Sequence, residues 1–147
     1  MFLVLLACSD EERADADEPY IERTEAVDVG TVCLLPPPEG RSFTYARMRL
    51  GGCIDGCKQL AAASCELDVV GQEIFVHSSF RFEEQRGGNV VCPTGCEPGP
   101  SVSCTPIEHR PGKYTVHLGD ASTTVTLGND PVVLFGSDAA ALEGWCE

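Results

Sequence analysis

The spacing of the cysteines constrains this chain more than any other feature. Cys53, Cys57 and Cys65 form a C-x3-C-x7-C cluster, and the same spacing returns at Cys92, Cys96 and Cys104, each 39 positions after its counterpart. A three-point match at one interval indicates an internal duplication. The downstream stretches agree, because Glu73–His77 follows the first cluster and Lys113–His117 the second, each a β-like run ending in histidine. The two related units span about residues 53–83 and 92–127.

The N-terminus bears on the compartment. Met1 to Ala7 is an apolar run that closes in Leu5-Leu6-Ala7-Cys8, and this resembles the lipobox of bacterial lipoproteins. The resemblance implies that residues 1–7 are a signal-peptide remnant and that Cys8 carries a diacylglyceryl group and an acylated amine. With the C-x3-C-x7-C clusters and Gly112-x-Tyr114-x-Val116, the chain is also similar to a group of cysteine-rich bacterial lipoproteins of unknown function. That group supplies a setting, the cell envelope with a lipid anchor in the membrane, and no mechanism. From Ser9 to about Val29, nine acidic residues stand against two arginines, a net −7 of the whole chain's −13. So many carboxylates and so few apolar residues predict a disordered, extended tether over residues 8–25. The charge also excludes nucleic acid as a partner, since no basic stripe is present to displace counterions from phosphates.

Nine cysteines in 147 residues exceed what a core of this size needs, which points to an oxidising compartment or a metal site. With Cys8 set aside, the remaining eight make the even number that disulfides require: Cys33, Cys53, Cys57, Cys65, Cys92, Cys96, Cys104 and Cys146. Each cluster holds an odd number, so at least one bond must leave it. Either the clusters bond to each other while Cys33 joins Cys146, or they bond outward to those two. Both schemes tie down Cys146. The alternative use is metal binding, because Cys53/Cys57 and Cys92/Cys96 have the separation of zinc ligands, and His77 and His117 would complete a Cys/His site between the repeats. A lipoprotein's oxidising setting favours disulfides, and neither a metal ligand nor a cofactor is assigned.

Residues 26–147 are expected to form one disulfide-rich domain, mainly β, as a single antiparallel sandwich of Ig-like or Greek-key type. Val27, Val29 and Thr31–Leu35 predict one first strand that Pro36-Pro37-Pro38 ends, since proline lacks the backbone donor. Phe43–Leu50 alternates with a period of two. Glu66–Val70 and Glu73–Phe82 predict a hairpin about Gly71-Gln72, and Tyr114–Leu118 and Thr123–Leu127 predict another about Gly119–Ser122. Val132–Phe135 predicts a central strand, while alanine-rich Lys58–Ser64 and Asp138–Leu142 predict helical turns.

Signatures of catalysis are absent: there is no G-x-S-x-G, no H-E-x-x-H, no P-loop and no dinucleotide fingerprint. His77 and Ser78 are strand neighbours pointing to opposite faces, which is poor geometry for a dyad. His109 falls in a polar loop between Pro106 and Pro111. No catalytic residue is assigned. The expected function is that of a membrane-anchored extracytoplasmic module that binds a protein or glycan or serves as a structural surface component, displaying loops such as Arg86–Asn89 and Glu97–Ser101. A small exported hydrolase or metal-binding protein is the alternative.

Overall fold

In a computed structural model the described residues are 18–37, 43–136 and 145–146, and they form twelve strands and no helix. Cys8, the lipobox, the N-terminal part of the expected tether and the helical turn expected at Asp138–Leu142 lie outside them. The strands are β1 (Tyr20–Val27), β2 (Thr31–Leu35), β3 (Phe43–Arg49), β4 (Cys53–Ile54), β5 (Lys58–Val70) and β6 (Glu73–Arg86). They continue as β7 (Glu97–Pro98), β8 (Ser101–Ser103), β9 (Ile107–Glu108), β10 (Gly112–Leu118), β11 (Ala121–Leu127) and β12 (Val132–Leu134).

The first sheet is built on β6. Residues alternate strictly along it, with Ile74, Val76, Ser78, Phe80, Phe82 and Glu84 buried and their neighbours turned outward. β5 pairs along one edge from Val70↔Glu73 to Lys58↔Glu84, with a bulge between Leu60 and Ala62. The opposite edge is shared. β1 pairs antiparallel with Ser79–Arg86, and β10 pairs parallel with Glu73–Val76 and carries β11 beyond it. Where β1 and β10 meet, Asp28 fills the gap in the ladder: its N–H donates to the Ser78 carbonyl (3.0 Å), and its Oδ1 accepts from the Ser78 N–H (2.7 Å). Asp28 adopts φ 49° there, a conformation that aspartate tolerates better than most residues.

The second sheet runs β12-β2-β3-β8, with β9 also on β3. Thr44, Ala46 and Met48 of β3 point inward, as the alternation predicts. The inner faces of the two sheets meet in one core that includes Val32, Leu34, Met48, Ile74, Val76, Phe80 and Val116. A minor ladder, β4-β7, sits beside the cysteine clusters.

Five sequence expectations change. Lys58–Ser64 is strand, not helix, because its backbone pairs with β6 and its small side chains lie against the large ones of that strand. The ordered chain begins upstream of Ala26, since Tyr20–Glu25 is part of β1 rather than tether. Its charges belong to an edge strand, where they discourage uncontrolled pairing. The pairing is not wholly antiparallel, because β10 joins β6 in parallel. Val132–Leu134 lies at an edge of its sheet rather than at the centre. Glu97–Ser101 is no free loop, because it contains β7, and the Leu50 N–H donates to the Pro100 carbonyl at 3.0 Å. Gly99 is required at that contact, since a Cβ would fall 1.8 Å from the Leu50 carbonyl oxygen.

Candidate functional site

The eight cysteines form four disulfides: Cys33–Cys146, Cys53–Cys96, Cys57–Cys92 and Cys65–Cys104. This is the first of the two schemes, in which the clusters bond to each other. The nested pair explains the shared x3 spacing. Two antiparallel segments can be clipped at both ends only if the cysteines on each are equally far apart. The clusters do not share local structure: Cys53 and Cys65 lie in β4 and β5, whereas Cys92, Cys96 and Cys104 lie outside strands. Cys65–Cys104 ties the edge of the first sheet to the segment between β8 and β9, and the Thr105 N–H reinforces it by donating to the Cys65 carbonyl at 3.2 Å. With every one of these thiols oxidised, a thiolate metal centre would require breaking a disulfide. Four disulfides also place the folded chain in an oxidising, extracytoplasmic setting.

His77 and His117 each sit beside a carboxylate of their own sheet. His117 stacks on Phe75, its neighbour across the β6–β10 pairing, at 4.6 Å between ring centroids and 10° between planes. Its Nε2 is 3.6 Å from Glu73, while Nε2 of His77 is 3.6 Å from Asp68. Both distances are too long for hydrogen bonds. Ser78 is buried in the core face and His77 is exposed on the other, so the two cannot act as a dyad.

His109 is the histidine held in a built environment. Its Nδ1 lies 2.8 Å from Oγ1 of Thr44, a buried side chain on the inner face of β3. The Tyr114 ring meets it edge-on at 5.9 Å, and the Tyr114 hydroxyl donates to the Arg110 carbonyl at 2.7 Å. Buried Ile107 anchors the same segment from below. These contacts hold Glu108–Gly112 as one wall of an open groove of about 850 Å³, which Val69 of β5 and Gly71 and Gln72 of the β5–β6 turn close on the other side. The volume is in the range of small-molecule sites, and the lining is largely polar. Thr44 is too buried to serve as a nucleophile, and its hydrogen bond occupies His109. Sequence reasoning placed His109 in a loop but missed Thr44 and Gln72, whose role depends on pairings across the fold.

Burial holds the His109 imidazole below its ordinary pKa. The folded chain favours the neutral ring, and the unfolded chain takes up the proton first as the pH falls. The stability this contributes is intact above about pH 6.5 and is lost as the pH drops below it. His109→Gln is therefore expected to flatten the fall in urea midpoint between about pH 6.5 and 5, relative to the unaltered protein. Equal slopes in the two proteins would remove this ring as the source.

At the far end of the first sheet, half-exposed Arg86 is held by carboxylates. Its Nε donates to Glu22 at 2.9 Å, and its guanidinium lies 3.2 Å from the buried carboxylate of Glu84. No family model, curated protein or solved structure matches this chain.

Proposed function

We propose that the protein is a lipid-anchored extracytoplasmic binding module, with its two main sheets packed as an Ig-like sandwich and a polar peptide or glycan as ligand. The observation that carries this reading is the use of cysteine: four disulfides take eight of the nine, and the one left over is Cys8 of Leu5-Leu6-Ala7-Cys8. An exposed free thiol is a liability in an oxidising compartment, and acylation removes it. Two or three acyl chains anchor stably where one does not. The groove beside His109 supports a binding role, since its wall is pinned by hydrogen bonds before any ligand arrives, which lowers the cost of ordering on association.

The test is the intact mass of protein taken from its native membrane, alkylated with and without reductant. Acyl mass on Cys8, with alkylation of the other eight only after reduction, is the expected result. Cys8→Ser is expected to move the protein to the soluble fraction. A variant that stays with the membrane would overturn the anchor.

A further inference from the structure

The outer edge of β1 has no strand partner among the described residues, and its sequence is complementary to itself. We propose that two copies of this chain pair antiparallel through β1, joining their first sheets into one continuous sheet about a twofold axis at Thr24. This goes beyond the binding role proposed above and does not depend on the lipid.

The backbone shows which groups are available. Asp28 donates its N–H to Ser78, so in the alternation of an antiparallel ladder Ala26, Thr24 and Glu22 also bond inward to β6. Ile21, Arg23, Glu25 and Val27 then direct their N–H and carbonyl groups to the open edge. A second β1 must oppose odd-numbered residues with odd-numbered residues to exchange those bonds. Three central registers satisfy this. Centring the axis on Arg23 sets Arg23 against Arg23, and centring it on Glu25 sets Glu25 against Glu25, both repulsive. Centring it on Thr24 sets Arg23 against Glu25 twice and Ile21 against Val27 twice, all on the outer face. Ile21 and Val27 are 52% and 53% exposed, the exposed apolar side chains that this register covers. Pro19, which precedes β1, prevents the pairing from running further.

An independent observation falls on the same axis. The Thr24 hydroxyl is buried and has no hydrogen-bond partner among the described residues. In the Thr24-centred register the two Thr24 residues face each other as a pair without mutual backbone bonds, the closer of the two antiparallel spacings. Hydroxyl-to-hydroxyl bonding across such a pair is a common cross-strand contact. The register chosen by charge therefore also offers this hydroxyl a partner, once its side chain turns from the interior toward the edge.

The experiment uses the full chain carrying Cys8→Ser, which excludes both lipid and thiol-linked association, and measures molar mass by sedimentation equilibrium across a concentration series. A reversible dimer is expected. Arg23→Glu opposes like charges at both contacts and is expected to raise the dimer dissociation constant by about tenfold or more. The double swap Arg23→Glu/Glu25→Arg restores opposite charges across the axis and is expected to return the constant to near its starting value. Both side chains lie on the outer face of β1, where Arg23 also bonds Glu83 of its own chain at 2.9 Å and Glu25 stands opposite Arg81. The swaps therefore lower the melting temperature somewhat, and a single cooperative melt establishes that each variant folds. A monomer at all concentrations, a dimer indifferent to Arg23→Glu, or a double swap that fails to restore pairing would each overturn the proposal.

Discussion

Replacing both Cys33 and Cys146 with alanine is expected to cost about 4–5 kcal/mol, the larger part of the stability of a marginal domain. The bond joins residues 113 positions apart. The other three bridges shorten the path between them, leaving roughly 70 residues of chain to be closed, so the chain-entropy cost stays near the top of its range. The nested clip behaves differently. With Cys53–Cys96 in place, Cys57–Cys92 closes a ring of only about ten residues, and its removal is expected to cost roughly 2.5 kcal/mol. Thermal melts of the two double variants should therefore differ, with the Cys33/Cys146 variant losing roughly 15 °C and the Cys57/Cys92 variant about half of that. Equal losses would mean that strain in the folded state, rather than freedom in the unfolded chain, sets the value of these bonds. The long bond also acts locally, because Cys146 packs against the outer face of β2 and Arg47 donates to the Trp145 carbonyl at 3.4 Å.

Phe80→Ala is expected to be nearly as severe, at about 4–5 kcal/mol, the upper part of the range for buried phenylalanine. Phe80 is fully buried at the centre of β6, and its cross-strand neighbours are Ala26 on β1 and Ala63 on β5. Two alanines make room for one ring. Once the ring is removed, neither cross-strand alanine is long enough to fold into the space, so a cavity remains. Phe80→Leu should cost far less. Urea denaturation with an unchanged slope and a lower midpoint would bear this out, and a loss below about 2 kcal/mol would show that the sheets close over the gap.

The same row of side chains explains where sequence reading succeeded and failed. β3 and the β5–β6 hairpin were legible because a two-residue period and a glycine at positive φ are local signals. Gly71 has φ 63° at the turn, as the hairpin requires. The alanines of β5 carried a helical signal because their reason lies elsewhere: Ala63 is small on account of Phe80, which is 17 positions away. Likewise β1 looked like solvated tether because the partners of its charges, Glu83 for Arg23 and Arg86 for Glu22, lie on β6 in a distant part of the chain. For the disulfides, parity narrowed the connectivity to two schemes, and only the facing of the clusters selected one. In the groove, His109 was visible, but the Thr44 hydroxyl that meets it comes from a strand 65 positions earlier.

The crossed connectivity of the disulfides bears on how the chain is made. Cys33, Cys53, Cys57 and Cys65 come first in the sequence, and no two of them are bonded to each other. Until Cys92 has emerged from the export channel, every bond an oxidase forms among them is wrong. The first correct closure, Cys57–Cys92, already passes over Cys65. Biogenesis therefore requires either that the thiols stay reduced until the β5–β6 hairpin has formed, or that an isomerase reshuffles them afterwards through mixed-disulfide exchange. Cells that oxidise their exported proteins without an isomerase would accumulate this chain in scrambled form.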